Sequence, residues 1–191
     1  MILPVHMGQE ELGQLLAILY SLGPRLCLEW GSGGSTRALL EARPLIERLV
    51  SIEHDRHWYD KVAASVLDPR LELHYVPPSE PPPPRSFWKR KLQAWDARAE
   101  HEPAILADYV AFPATLGTRF DFVLVDGRAR RFCLTAGWEL LRPGGALVLH
   151  DAQRREYQDV LFSLGPPLLL EPWRRGQLAL LRKPVTYQAT P

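Results

Sequence analysis

Leu26-Cys27-Leu28-Glu29-Trp30-Gly31-Ser32-Gly33-Gly34-Ser35-Thr36-Arg37-Ala38-Leu39-Leu40 reads as a strand, a tight glycine turn and the start of a helix. Leu26 to Leu28 is a short apolar run of strand type. Three of the four residues from Gly31 to Gly34 lack a β-carbon, and Ser35 or Thr36 can cap the helix that Arg37 to Leu40 begins. Glycine permits φ > 0 and close approach of a ligand to the backbone, while the free N–H groups of a helix start favour negative charge. Such a turn is suited to lie under a ligand.

Two carboxylates narrow the choice of ligand. A dinucleotide fingerprint, G-x-G-x-x-G, places a glycine or a neutral residue where this chain has Glu29, and the glycines here are spaced G-x-G-G, a poor match to a pyrophosphate cradle. A second apolar strand, Leu49 to Ile52, ends in Glu53, 24 residues after Glu29 and 19 after Gly34. That is about where an acid reaches the two ribose hydroxyls of an adenosine. Together the two features read as an adenosyl site.

Four stretches resemble the successive motifs of class I S-adenosylmethionine-dependent methyltransferases: Glu29 to Thr36, Ser51-Ile52-Glu53-His54-Asp55, Val123-Leu124-Val125-Asp126-Gly127-Arg128, and Leu141-Arg142-Pro143-Gly144-Gly145. The chain departs from the family's commonest E/D-x-G-x-G-x-G in having Gly34 and Ser35 where a variable residue and the third glycine stand. The Val-Asp-Gly-Arg stretch is also similar to methyltransferase-like proteins of unassigned substrate. The resemblance implies a single-domain, Rossmann-like α/β fold with a mostly parallel seven-stranded sheet of order 3-2-1-4-5-7-6 and helices on both faces. It implies S-adenosylmethionine as cofactor, held by Glu29, Gly31, Ser32, Gly33, Gly34, Ser35, Thr36, Glu53, His54 and Asp126.

Each of these residues has a plainer structural reading. Glu29 is expected near the methionine or ribose moiety, or else as an acid that caps the adjacent helix. Glu53 is expected on the ribose diol, since a bidentate carboxylate contact needs an acid at that strand end. His54 either contacts adenine or, with Asp55, opens the helix from Arg56 as an ordinary N-cap. Asp126, closing an otherwise apolar strand, could bind the cofactor's amino group, act as a base or bind metal; its alternative is a turn-forming Asp-Gly.

Methyl transfer from a sulfonium is an in-line displacement, so the protein must hold the acceptor close and, for an oxygen acceptor, remove its proton. The candidate catalytic residues are therefore Asp126, His150 and Asp151, the last two closing the following strand. A histidine near its ordinary pKa suits that proton transfer. Two carboxylates at adjacent strand ends could instead hold a divalent metal ion. Catechol-type enzymes of the family have an Asp-Asn pair after the fifth strand, and here the pair is Asp151-Ala152, so metal is the lesser alternative. Arg128, Arg130, Arg131, Arg154 and Arg155 follow the same strand ends and would suit an anionic acceptor if they face the cleft.

The 191 residues suffice for one domain with a full core, and the formal charge of +1 makes no electrostatic case for nucleic acid. The arginine and aromatic segment from Arg85 to Arg98 keeps nucleic acid as a lesser partner than a small-molecule acceptor. No apolar run is long enough to span a bilayer, and Met1 to Gly8 lacks the layout of a signal peptide. The expected location is cytoplasmic, with Cys27 and Cys133 reduced. A homo-oligomer is left open.

In chain order, Gln9–Leu22 has helical periodicity closed by Gly23-Pro24, and Ser35–Ala42 is helical up to Arg43-Pro44. Arg56–Leu67 is a helix and Leu71–Val76 a third strand. Residues 77–119 then break the alternation with a proline run followed by Phe87, Trp88, Trp95 and Tyr109 among basic residues. This insertion is expected to be either a lid over the acceptor pocket or a loop with one amphipathic helix, whose Trp88, Leu92 and Trp95 pack on the sheet. Phe120–Val125 is a fourth strand, Phe132–Leu141 a helix, Pro143-Gly144-Gly145 a turn into Ala146–His150, and Arg154–Leu164 a helix. Leu168–Glu171 and Gln177–Arg182 form a hairpin around Arg174-Arg175-Gly176. Two rivals share the fold class: an NAD-type Rossmann oxidoreductase, disfavoured by the glycine spacing, and a non-catalytic adenosyl-binding module.

Overall fold

Alternate residues along the strands enter two separate cores, which makes the sheet the middle of three layers. In this computed structural model residues 3–42, 45–83, 89–171 and 176–185 are described. Strands β1 (Leu26–Trp30), β2 (Arg48–Glu53), β3 (Leu71–Tyr75), β4 (Phe120–Val125), β5 (Leu141–His150), β6 (Leu168–Leu169) and β7 (Leu178–Arg182) form one sheet of order 3-2-1-4-5-7-6. Pairing is parallel through β5, and β7 runs antiparallel to β5 and β6. This is the expected single-domain α/β fold.

Cys27, Leu49, Leu124 and Val148 face helices α1 (Gln9–Leu22), α2 (Gly34–Ala42) and α3 (Arg56–Ser65). Leu28, Trp30, Ile52, Val123 and Leu149 face α4 (Lys89–His101), α5 (Ala107–Ala111), α6 (Arg130–Leu140) and α7 (Arg155–Ser163). The two buried free thiols therefore lie on opposite faces of the sheet. Among the described residues no helix is long and apolar enough to cross a membrane.

The boundaries shift where local chemistry overrides pattern. Residues 143–145 are within β5, which starts at Leu141 rather than Ala146 because Leu141 pairs with Phe120. The register then slips between Phe120 and Phe122, so these two phenylalanines enter opposite cores. Asp121, the lone acid of β4, sits at that slip and accepts the N–H groups of Arg25 and Leu26 together with the Arg142 guanidinium. Helix α3 stops at Ser65, two residues early. Helix α6 starts two residues early, where Arg130 N–H donates to Glu100 Oε2.

The segment 77–119 is partly built into the second core. Trp95, Ala99, Ile105, Leu106 and Tyr109 are buried there, and Trp95 Nε1 donates to the Glu80 carbonyl. Ser79 N–H donates to Ile105 O, and Arg98 grips Glu80 with two hydrogen bonds, which fixes the start of the proline run against α4. The readings of Arg43-Pro44, Arg85, Phe87, Trp88 and Arg174-Arg175 lie outside the described residues.

Candidate cofactor and acceptor site

The C-terminal ends of β1, β2, β4 and β5 open onto one cavity of about 670 Å³, within the range of small-molecule sites. This is the position at which an open α/β sheet reverses its strand order. The glycine turn, Glu53 to Asp55, Asp126 to Arg128 and His150-Asp151 all line it. Residues 5–8 and Glu11 close one side, and Pro82, Leu92 and Trp95 another. The insertion thus supplies both a core helix and a cavity wall.

The glycine turn does not owe its missing side chains to a ligand alone. A Cβ on Gly31 would lie 2.5 Å from Gly127 Cα, one on Gly33 3.3 Å from Trp58 Nε1, and one on Gly34 2.6 Å from Val5 Cγ2. The glycines let the β1 and β4 loops, α3 and the N-terminal segment close on one another. The Gly31 to Ser35 backbone still forms part of the cavity wall. Trp58 Nε1 donates to Ser32 O and so ties α3 to this turn.

Glu29 and Thr36 do not line that wall. Glu29 is fully buried beneath the turn, where Ser35 Oγ, Thr36 Oγ1 and Ser51 Oγ each donate to it at 2.6 Å. Thr36 Oγ1 in turn accepts Gly33 N–H at 2.8 Å. Because α2 begins at Gly34, Ser35 and Thr36 lie inside its first turn and serve the carboxyl group rather than acting as N-cap.

Burial raises the Glu29 pKa to about 7 despite the three hydroxyl donors and with help from Asp126. The unfolded chain ionises this acid near pH 4.5 while the folded one keeps its proton, so the stability contribution of Glu29 is full below about pH 4.5 and is lost as pH rises to about 7. The span corresponds to on the order of 3 kcal/mol. Urea denaturation at the two ends of this window should show Glu29→Gln more costly at the acid end. An identical cost at both ends would contradict the protonated state.

Glu53 is 3% exposed and stands at the cavity end of β2. Its Oε1 accepts the N–H groups of His54 and Asp55, both at 2.8 Å, and its Oε2 takes only a 3.3 Å bond from Ser32 Oγ. The backbone thus fixes one oxygen and leaves the other with acceptor capacity. Asp55 caps α3 by accepting Trp58 N–H, as an ordinary N-cap does. His54 stacks parallel to Trp95 at 6.1 Å. Its Nδ1 is buried 3.1 Å from Glu53 Oε1 but out of line for a hydrogen bond, without a partner among the described residues.

Asp126, His150 and Asp151 are brought together as expected. His150 Nδ1 lies 2.7 Å from Asp126 Oδ1, and its Nε2 lies 3.2 Å from Glu11 Oε2. Burial lowers the His150 pKa, but the hydrogen bond and charge of Asp126, joined by Asp151, hold it above the ordinary histidine value. Burial would raise Asp151, and Arg130, His150 and Arg154 instead hold it below the usual carboxylate range. Asp151 has φ +61, a left-handed conformation that turns its carboxylate back onto these partners.

Arg130 explains much of this order. It is 5% exposed and donates to the carbonyls of Gly127 (2.9 Å), Asp126 (2.9 Å) and His150 (2.5 Å), as well as to the Asp126 and Asp151 carboxylates, both at 3.3 Å. Arg128 is paired with Asp96 and Arg154 with Asp151. Arg131 binds Asp159, and neither it nor Arg155 reaches the cavity. The arginines expected to greet an anion are thus largely committed to protein acids. No cluster of three or more metal-ligating side chains occurs among the described residues, and Asp126 and Asp151 share a guanidinium.

Glu11, Trp58 and the N-terminal residues were not anticipated at this site. Glu11 is 139 positions from His150, and its only sequence signal is its place as third residue of α1 after Gly8.

No family profile matches the sequence, and no curated protein does. Solved structures do. A methyltransferase-like protein from Silicibacter pomeroyi is 26% identical, with a TM-score of 0.62 over 97% of this chain and 91% of that one. An O-methyltransferase from Bacillus cereus in complex with S-adenosylhomocysteine is 16% identical, with a TM-score of 0.65 over 94% and 84%. An N-methyltransferase from Bradyrhizobium japonicum, also in complex with S-adenosylhomocysteine, is 17% identical, with a TM-score of 0.54 over 92% and 87%.

Proposed function

Since the chain has the fold of the class I S-adenosylmethionine-dependent methyltransferases, we propose that it binds S-adenosylmethionine and transfers its methyl group to an oxygen or nitrogen of a small molecule. The cofactor supplies a methyl group on a positively charged sulfur. Glu53 is the observation that carries the reading: a cavity-lining acid at the end of β2, one oxygen fixed by two backbone N–H groups and the other held only by a 3.3 Å bond from Ser32 Oγ. A carboxylate so held suits a vicinal diol, to which it can offer acceptor positions without moving. His54, whose ring stacks on Trp95, lines the cavity beside it and suits a bound base.

The remaining residues divide by position. Gly31 to Ser35 offer backbone to the methionine portion, and Asp126 can receive its ammonium group. Asp126, His150 and Asp151 sit at the acceptor end, where proton transfer is needed for a hydroxyl. Trp95 and the proline stretch wall off water on the adenosyl side, in the manner of a lid.

Glu53→Ala is expected to weaken S-adenosylhomocysteine binding at least tenfold, about 1.4 kcal/mol, in equilibrium dialysis. Affinity unchanged in a folded variant would remove Glu53 from the ribose site.

A further inference from the structure

Helix α1 carries to the acceptor end a carboxylate that no motif marks. Glu11 Oε2 accepts Gly8 N–H at 2.8 Å and lies 3.2 Å from His150 Nε2, while His150 Nδ1 lies 2.7 Å from Asp126 Oδ1. Position 176 is shaped to admit it: a Cβ there would fall 2.1 Å from Glu11 Oε1, and Gly176 has φ +88. The Glu11 and Asp126 side chains line the cavity at 19% and 17% exposure, whereas the imidazole between them is 8% exposed. All three line the cavity, with the two carboxylates more open to a ligand than the ring that bridges them.

A carboxylate and a bare ring nitrogen are both acceptors, so the contact between Nε2 and Oε2 holds one proton. We propose that Glu11 is a positioning residue that brackets His150 together with Asp126 and stores the one proton that must leave before the site can take a proton from a methyl acceptor. This role rests on the methyl-transfer reading above. With a hydroxyl acceptor, the stored proton first passes to bulk water, and the acceptor oxygen then bonds to the methyl carbon as the carbon–sulfur bond breaks and leaves its electron pair on sulfur. The hydroxyl proton then passes into the vacated position between Glu11 and His150.

The other groups facing the ring are fixed. Arg130 of α6 binds the His150 carbonyl, and Asp151, after β5, is held by Arg130 and by Arg154 at the start of α7. The His150 pKa is raised by Asp126, with Asp151, against burial and Arg130.

Two-dimensional NMR of the imidazole nitrogens, titrated from about pH 5 to about pH 9 without cofactor, reads this directly. The His150 signal is assigned by its loss in His150→Gln. In Glu11→Gln the midpoint should fall by about one unit or more, since one facing negative charge is lost. Glu11→Asp, shorter but still charged, should fall between that variant and wild type. A Glu11→Gln midpoint within about 0.3 unit of wild type overturns the proposal. If Glu11→Gln does not fold, Glu11→Asp decides alone: a lowered midpoint supports the bracket and an unchanged one overturns it. Wild-type binding of S-adenosylhomocysteine is read separately. Binding without a midpoint shift removes Glu11 only, whereas a shift without binding removes the methyl-transfer reading.

Discussion

Replacing Arg130 with methionine should destabilise the protein by about 3–5 kcal/mol, the usual cost of removing one partner from a buried ionic group. The guanidinium is 5% exposed and binds three carbonyls at the ends of β4 and β5 as well as the carboxylates of Asp126 and Asp151. Methionine fills a similar volume but leaves those acceptors without donors and two neighbouring acids without their counter-charge. For a chain of this length the loss corresponds to roughly 6–20 °C in Tm. Lysine should recover only part, because a single ammonium cannot span carbonyls that a planar fork reaches together. A cost below about 1 kcal/mol for Arg130→Met in urea denaturation would show that the strand ends hold without it.

Gly31→Ala should cost about 3 kcal/mol or more. Gly31 has φ +92, which strains any residue with a β-carbon, and the added Cβ would stand 2.5 Å from both Gly127 Cα and N. Backbone cannot swing aside as a side chain can. Gly127 has no room to retreat either, since a Cβ at that position would meet the Tyr109 hydroxyl at 2.1 Å. Gly13→Ala gives the opposite sign. It lies within α1 with nothing near its missing Cβ, so alanine should stabilise by about 0.5–1 kcal/mol. Equal effects of the two substitutions in denaturant titrations would contradict the close approach of the β1 and β4 loops.

The sheet was legible because its strands are short apolar runs that end in acids or glycines. Leu49 to Glu53 and Phe120 to Asp126 announce both a strand and its cavity end. The register slip at Asp121 was not legible, because nothing local shows that this acid serves the N–H groups of Arg25 and Leu26 some 95 residues earlier. Glu53, Asp126, His150 and Asp151 could be placed at one cavity from sequence because topology alone brings strand ends together. Glu29 had two readings from sequence, a ligand contact or an acid serving the adjacent helix. Only the three hydroxyls around it, one of them from β2, show that it faces the start of α2. Arg130 followed an Asp-Gly turn like a surface residue, yet the left-handed Ala129 before it, φ 54, turns it inward. Glu11 could not be found from spacing, since its neighbour in space is 139 residues away.

The most direct test of the account is calorimetric titration of the purified wild-type chain with S-adenosylhomocysteine, after removal of any copurified nucleoside, beside the same titration with NAD. The account predicts saturable binding of S-adenosylhomocysteine at one site per chain and no comparable binding of NAD. Absence of S-adenosylhomocysteine binding by the folded protein would contradict it and require another ligand for the cavity at Glu53.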